Sequence, residues 1–386
     1  MLASVLHAPL GDGLVLARAG ERAVHILNAT AADVWRLACD AAPGCGEDWL
    51  VRRVQARYGL DESAARREIR ALMDGWRRAG LVEPLDEFVP APLPDDWITG
   101  GSTPAPLGAG QIAVELAGVA MGVEIESGEV AAAVRSALEP MIQPRAGGSC
   151  RNILRVAGPV DRWTLSVNDE PAMSGVGADE IVVVVLRLLI DLACRAEGRL
   201  FLAHGAGLEL PDGRGLLLVA PSGSGKTTLA TALNAEGYGL LNDDVVPIDL
   251  HGRMLGLSAP ICLKAGSWSI LTSRRPDLRD RPAVMRYGEP VRFLPPAGNR
   301  PGRPLAPALL IFPRYQSGST PRAEPMSPEA ALGALIRSES ILRDLTQSRL
   351  EALTRWIGSI PAHALTFPDL ESAIGLVRGL ATSEPG

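Results

Sequence analysis

The stretch LLLVAPSGSGKTTLATALNAEGYGLLNDDVVPID, residues 216–249, determines the predicted fold of the larger part of this 386-residue chain. An apolar run leads into a loop of small residues, and a segment with helical periodicity follows that loop. Lys226 stands at the end of the loop and is one of two lysines in a chain that otherwise uses arginine. A lysine here indicates a need for a compact point charge, which the wide, planar guanidinium of arginine does not provide.

The loop at 220–227, APSGSGKT, matches the pattern G-x-x-x-x-G-K-[ST] except that Ala220 replaces the first glycine. Strand, glycine-rich loop and helix in succession are typical of a phosphate-binding P-loop, and a chance glycine-serine turn is the competing interpretation. Such a loop surrounds phosphate with backbone N–H groups, while its lysine contacts the β- and γ-phosphates and its threonine faces Mg²⁺. We therefore expect ATP and Mg²⁺ as cofactors. The predicted nucleotide-binding residues are Ser222, Gly223, Ser224, Gly225, Lys226, Thr227 and Thr228.

An acidic pair, Asp243 and Asp244, follows 17 residues after Lys226, at the predicted carboxyl end of a strand next to the P-loop strand. One carboxylate there can hold Mg²⁺ and the other can accept a proton from a hydroxyl nucleophile, although a solvated pair at a strand end is the alternative. His204 is predicted to end the strand before the loop, and a lone histidine is more often structural. Lys264, the other lysine, fits either a phosphate or substrate contact or an ordinary surface position.

These residues together resemble the catalytic core of HPr kinase/phosphorylase. His204-Gly205, the loop with Ser222, and Asp243-Asp244 follow in the order typical of that family, and PICLKAGSW, RFLPP and LLIFPRYQSG resemble its HPr kinase-related subgroup. The resemblance covers about 110–386 and implies an α/β P-loop kinase domain with a mixed sheet. An EIRGLG-type signature of the bifunctional enzymes is absent, so we do not extend phosphorylase activity or HPr as a substrate to this chain.

The same resemblance implies roles for individual residues. Asp243 would act as the base, and His204 would also be catalytic. Asp244 and Thr227 would serve the metal, and Lys226 with Ser222 would bind phosphate. The family likewise implies a homo-oligomer.

The N-terminal segment 1–87 combines short alternating strands with three helices and is predicted to form a winged-helix-like α+β domain. Its stretches VHILNATAADVWRLACD and LMDGWRRAGLVEP resemble the PqqD-like peptide-binding module, also called a RiPP recognition element. Such modules bind the leader of a ribosomally made precursor peptide as an extra strand beside their own sheet. A winged-helix DNA binder is the alternative, and Glu62, Glu68 and Asp74 among the arginines argue against a basic recognition helix.

The remaining sequence features limit the partners and the compartment. Residues 88–109 are rich in proline and glycine and are predicted to be a linker. The apolar stretch 181–194 contains Arg187 and Asp191 and is shorter than the ~20 residues of a membrane span, so we expect a helix and no membrane partner. The net charge of −6 argues against nucleic acid. Five scattered cysteines and the lack of a signal peptide indicate a cytoplasmic protein.

The sequence thus predicts an ATP-dependent kinase that phosphorylates a serine or threonine of a ribosomally synthesised precursor peptide. Residues 1–87 would bind the leader and residues 110–386 would carry the kinase. Two other functions remain open at this point: a regulatory protein that binds nucleotide and peptide without transfer, and a kinase for a small molecule.

Overall fold

The computed structural model describes residues 5–40, 47–82, 105–106, 111–126, 128–142, 149–159, 162–298 and 303–382. The chain divides into two compact units. The first contains Met1–Leu93, Ser327–Gly333 and Leu342–Ser359, and the second contains Pro94–Met326, Ala334–Ile341 and Ile360–Gly386. The predicted boundaries assigned all of 110–386 to one domain, whereas two C-terminal segments group with the N-terminal unit.

The elements follow one another in this order. The strands are β1 (Val5–Leu10), β2 (Gly13–Arg18), β3 (Val24–Leu27), β4 (Ala105–Pro106), β5 (Ile112–Leu116), β6 (Val119–Ile125), β7 (Ser149–Cys150), β8 (Asn152–Ala157), β9 (Trp163–Val167), β10 (Glu170–Val176), β11 (Arg199–Glu209), β12 (Gly215–Val219), β13 (Gly239–Asn242), β14 (Val245–Asp249), β15 (Ile261–Lys264), β16 (Ala283–Arg286), β17 (Glu289–Leu294), β18 (Pro307–Tyr315), β19 (Arg322–Pro325), β20 (Ile341–Leu342) and β21 (Ala362–Phe367). The helices are α1 (Ala29–Asp40), α2 (Glu47–Tyr58), α3 (Glu62–Arg78), α4 (Gly128–Leu138), α5 (Ile181–Arg195), α6 (Lys226–Ala235), α7 (Ala265–Leu271), α8 (Pro328–Arg337), α9 (Gln347–Gly358) and α10 (Leu370–Thr382).

The first unit contains the three predicted helices and a sheet of order β1-β2-β3 with antiparallel neighbours. Asp61 caps α3 as predicted, because its carboxylate accepts a hydrogen bond from the backbone N–H of Ala64 at 2.8 Å. Trp35 of α1 meets Trp76 of α3 edge to face, with ring centroids 5.0 Å apart. Ile69 is fully buried in the same core. Helix α3 is therefore held by packing as well as by its cap.

Strand β1 is not predicted from the sequence, since His7 and Pro9 weaken its apolar pattern. Both residues suit an edge strand, whose outer backbone groups need no partner strand. The outer edge of β1 is covered by Gln347 at the start of α9. The Gln347 amide donates to the His7 carbonyl at 2.8 Å, and its oxygen accepts from the His7 N–H at 3.3 Å.

The residues before α9 also make backbone hydrogen bonds with the connection between β2 and β3. The Gly20 N–H donates to the Leu345 carbonyl at 3.0 Å, and the Leu345 N–H donates to the Glu21 carbonyl at 3.1 Å. These reciprocal bonds, with the packing of α9 on β1, explain why 342–359 belongs to the N-terminal unit. Long-range pairing of this kind leaves no local signal in the sequence.

The second unit holds a mixed α/β arrangement, as predicted. One sheet has the order β10-β9-β8-β6-β5, and its core includes the buried Trp163 together with apolar residues of α4 and α5. Segment 181–195 is a helix, as predicted, and most of its apolar side chains are buried. No described helix is long and apolar enough to cross a membrane.

The largest sheet has the order β13-β11-β12-β18-β21-β19, and β14 also pairs with β11. Strands β12, β18 and β21 are parallel, whereas β11 runs antiparallel to β12, β13 and β14. The first half of β11 pairs with β14, and its second half lies between β13 and β12. The expectation that the strand before the acidic pair adjoins the P-loop strand is therefore wrong, because β11 separates them.

The predicted linker 88–109 lies outside the described residues except for 105–106, which form β4 and pair with β7. The predicted wing strand after α3 also extends outside the described residues beyond Val82. The α/β class of the second unit is confirmed. Its assignment as a P-loop kinase domain stays a prediction.

Candidate functional site

The loop after β12 has the backbone that its glycines allow. All five residues of β12 are buried, and α6 begins at Lys226. Gly223 and Gly225 have φ of 83° and 89°, in the left-handed region that side chains disfavour. The strand, loop and helix predicted around Lys226 are thus present, with the helix N-terminus at the end of the loop.

Lys226 is buried within this loop, with 5 % of its surface exposed. Its Nζ donates to the carbonyl of Ala220 at 3.2 Å, so the lysine folds back over the start of the loop. Burial lowers the pKa of Lys226, while the nearby carboxylates of Asp243, Asp244 and Glu339 act in the opposite direction. A buried ammonium that donates to a neutral loop carbonyl is suited to an anionic ligand, since a phosphate oxygen would replace that carbonyl with a stronger, charge-assisted acceptor.

The other predicted loop residues surround the same helix start. Ser222 and Gly223 are exposed, and Thr228 is half-buried in the first turn of α6. The Ser224 hydroxyl is buried and finds no hydrogen-bond partner among the described residues. Since buried hydroxyls are normally paired, an oxygen-rich ligand such as phosphate would satisfy it.

Asp243 lies in the turn between β13 and β14, with 7 % of its surface exposed. Its carboxylate accepts a hydrogen bond from the Thr227 hydroxyl at 3.1 Å. Burial, with the negative charge of Asp244, raises the pKa of Asp243 to about 7, although Lys226 and Thr227 act to lower it. A carboxyl group with such a pKa exchanges its proton near neutral pH, which suits general-base chemistry.

Asp244, its neighbour, has the opposite electrostatic environment. One carboxylate oxygen lies 3.5 Å from His204 Nε2, and the other lies 3.1 Å from Arg286 Nη2. The His204 contact first, and then Arg286, holds the pKa of Asp244 well below its usual range. Its φ of 83° is left-handed, and the Gly205 N–H fixes the turn by donating to the Asp244 carbonyl at 3.1 Å.

His204 and Gly205 occupy the middle of β11, not the end of a strand as predicted. At this point β11 changes partners, since His204 is opposite Val245 of β14 and Gly205 is opposite Val219 of β12. His204 Nδ1 lies 2.7 Å from the Ser338 carbonyl, so Nδ1 carries a proton and Nε2 faces Asp244.

Only glycine fits after His204, because a Cβ on Gly205 would lie 2.4 Å from the Leu218 carbonyl oxygen of the neighbouring strand. The predicted histidine-glycine pair therefore has a structural explanation in this sheet. The histidine contacts the acidic turn, and the glycine allows β11 and β12 to approach closely.

Arg286 is a site residue that sequence reasoning missed. It ends β16 and bridges two side chains, with Nη2 on Asp244 and Nη1 donating to Cys262 Sγ at 3.2 Å. Arginines are so frequent in this chain that no compositional signal marks it. Lys264, by contrast, forms an exposed ion pair with Glu289 at 2.8 Å and does not line the cavity beside the aspartates.

A cavity of about 550 Å³ adjoins the acidic pair. His204, Asp243 and Asp244 line one part of it, and apolar side chains from α5 and β17 line another. The cavity lies entirely within the second unit. It provides space for a second substrate next to a carboxylate that exchanges its proton near pH 7.

The oxygen ligands at the loop fit Mg²⁺ in part. Mg²⁺ is usually held by one or two carboxylates together with substrate phosphates and water, and the Thr227 hydroxyl and the Asp243 carboxylate are already in contact. The described residues contain no cluster of three or more His, Cys, Asp or Glu that could hold a metal without a substrate. An ion here would therefore depend on nucleotide phosphates for its remaining ligands. The expected pairing of Thr227 with Asp244 has no matching contact.

The pKa of Asp243 predicts how the stability of the ligand-free protein depends on pH. The folded-state pKa is about 7, above the ordinary value of 3.8, so folding favours the protonated acid. This contribution is complete below pH 3.8 and is lost as pH rises towards 7, by at most about 1.4 kcal/mol per pH unit. Urea unfolding between pH 4 and 8 should show the loss in the wild type and not in Asp243→Asn. Parallel curves for the two proteins would contradict the raised pKa.

Comparison with known proteins identifies one part of the chain. Residues 13–82 match the family model for coenzyme PQQ synthesis protein D (PqqD). The match runs from β2 through α3 and confirms the PqqD-like domain predicted within 1–87. No curated protein matches the chain.

Proposed function

We propose that this protein is an ATP-dependent kinase that transfers the γ-phosphoryl group to a serine or threonine hydroxyl of a ribosomally synthesised precursor peptide. The observation that carries the proposal is the contact between Thr227, in the first turn after the glycine-rich loop, and the buried Asp243. It joins the predicted phosphate-binding loop to a carboxyl group able to accept a proton. Lys226 lies near enough to influence that carboxyl group electrostatically.

On the phosphate side, the groups available are backbone N–H groups of the loop, the Lys226 ammonium and the Ser224 hydroxyl, which has no partner in the described part of the chain. Exchanging the Ala220 carbonyl for β- and γ-phosphate oxygens would give Lys226 a charge-assisted partner. Mg²⁺, held by Thr227, phosphate oxygens and one aspartate, would neutralise negative charge on the phosphates. These groups support nucleotide binding without any large rearrangement of the loop.

On the acceptor side, the raised pKa supports Asp243 as the proton acceptor. The acceptor hydroxyl oxygen forms a bond to the γ-phosphorus while the bond from that phosphorus to the ADP oxygen breaks. The hydroxyl proton passes to the Asp243 carboxylate. Asp244 stays ionised between His204 and Arg286, and its negative charge helps to keep the pKa of Asp243 high.

The PqqD-like domain supports a peptide as the substrate, since such modules bind a leader as an added strand. Of the two edges of its sheet, β1 is covered by Gln347, whereas β3 pairs only with β2 among the described strands. We therefore assign the leader to the outer edge of β3. Holding the leader there would raise the local concentration of the acceptor to about the millimolar range for a flexible peptide.

Substitution of each of the two lysines in this chain tests the proposed kinase activity directly. Lys226→Met keeps the buried stem but removes the charge, and it should lower phosphoryl transfer by roughly 10²-fold or more. Lys264→Met removes the other lysine, which lies in an exposed ion pair, and should transfer phosphate at nearly the wild-type rate. The measurement is the mass of a candidate precursor peptide after incubation with ATP and Mg²⁺. Equal activity of the two variants would overturn the role of the loop, provided that both keep the wild-type melting temperature.

The two aspartates should respond differently to magnesium. Asp243→Asn cannot accept a proton and should lower kcat by roughly 10²–10⁴-fold with MgATP affinity nearly unchanged. Asp244→Asn should weaken nucleotide binding and recover in part at higher Mg²⁺, as the resemblance to HPr kinase implies. Nucleotide affinity and kcat measured across a Mg²⁺ titration separate these effects. If the Asp243 variant is the one rescued, its contact with Thr227 marks the metal ligand and the roles are exchanged.

The leader site can be tested at a single backbone group. The backbone N–H and C=O of His7 bond outward to Gln347, so His7 and its partner Leu16 form a non-hydrogen-bonded pair of the β1–β2 ladder. The backbone groups of Leu16 therefore point to the other side and bond to His25 of β3. The N–H of Ile26 then faces the outer edge of β3. Ile26→Pro removes this donor and should weaken leader binding roughly tenfold. Ile26→Ala keeps the donor and is the matched control; equal affinities of the two variants in a binding titration would exclude strand addition at β3.

A further inference from the structure

We infer that the acceptor hydroxyl is carried by a peptide residue with a bulky apolar neighbour, and that the cavity beside Asp243 binds this neighbouring side chain. The inference rests on the proposed kinase function, because it assigns the second part of the same site. It specifies the substrate class, which neither the loop nor the PqqD-like domain defines.

The size of the cavity indicates that it holds more than the acceptor residue. A volume of about 550 Å³ is within the range of small-molecule sites and exceeds what one serine side chain needs. The reacting groups, Asp243 and Asp244, line only part of it. The remaining volume lies next to the position of the acceptor hydroxyl and is available to an adjoining residue.

The walls of that remaining volume are apolar. Leu186 and Ile190 line it from α5, and Phe293 lines it from β17. Ile341 also lines it and is 49 % exposed, so its apolar side chain is open to contact with a ligand. An apolar peptide side chain placed here would remove these surfaces from water, and that burial favours binding.

Two arginines that line the cavity are held by neighbouring side chains. Arg286 is held by Asp244 and Cys262, and Arg187 donates to the Tyr287 hydroxyl at 2.7 Å while lying 3.9 Å from Asp191. Both arginines lie over the Tyr287 ring, at 5.9 Å for Arg187 and 5.7 Å for Arg286. A charged neighbour of the acceptor would have to break these contacts or lose its own hydration. The cavity therefore favours leucine or phenylalanine beside the acceptor over aspartate or lysine.

The experiment uses the full chain with short synthetic peptides that lack a leader. Each peptide contains one serine, and the residues on either side of it are leucine, phenylalanine, glycine, aspartate or lysine. Binding is measured by fluorescence anisotropy with Mg²⁺ and a non-hydrolysable ATP analogue, and transfer is measured by mass after incubation with ATP. We expect peptides with leucine or phenylalanine to bind and react about tenfold or more better than those with glycine or a charge.

Two isoleucines provide a matched pair of variants. Ile341→Asp places a charge on the cavity wall and should abolish the preference for apolar neighbours. Ile270→Asp changes a residue of α7 with nearly the same exposure, 51 %, that does not line the cavity, and it should keep the preference. Melting temperatures of both variants show whether each is folded.

The outcomes separate this inference from the function on which it rests. Transfer without any preference, or with a preference for charged neighbours, overturns the inference and leaves the kinase in place. An apolar preference in binding without transfer to any peptide supports the cavity assignment and contradicts the kinase. A preference that survives in folded Ile341→Asp would show that the apolar residue binds elsewhere, which also overturns the inference.

Discussion

The burial of Asp243 within the electrostatic influence of a buried lysine is the constraint on which the candidate site depends. A carboxylate removed from water is costly unless a cation or hydrogen bonds compensate it, and here Lys226 and Thr227 compensate it only in part. The proton therefore remains on Asp243 to a higher pH than usual. The loop glycines and the turn after β13 bring these three side chains together.

The two adjacent aspartates differ because their surroundings differ. Asp243 is buried beside the loop, whereas half of the Asp244 side chain is exposed and is contacted by His204 and Arg286. The left-handed backbone at Asp244 separates the directions of the two side chains, and the Gly205 N–H holds that backbone in place. The two aspartates thus have pKa values that are shifted in opposite directions. A difference of this kind allows two acids in one enzyme site to take different roles.

The first unit is built from two distant parts of the chain. Its sheet and α1–α3 come from the N-terminus, and α9 comes from the C-terminal region and covers the edge of β1. A fragment that ends at residue 87 would therefore lack α9, and the outer backbone groups of β1 would be exposed in addition to the loss of the second unit. An exposed strand edge is prone to unwanted pairing, so Gln347 also protects the module from association at the wrong edge.

The sequence by itself determined the elements whose signals are local. These are the capped helix after Asp61, the long helix 181–195, the strand and loop before Lys226, and the acidic pair that follows 17 residues after Lys226. The tertiary structure decided what depends on contacts between distant residues. It placed β11 between the loop strand and the acidic turn, put Arg286 on Asp244, and joined α9 to β1. Periodicity and capping act over a few residues and leave a pattern in the chain. Strand order, an ion pair between residues about 40 apart and hydrogen bonds between residues about 340 apart depend instead on which surfaces meet when the chain folds.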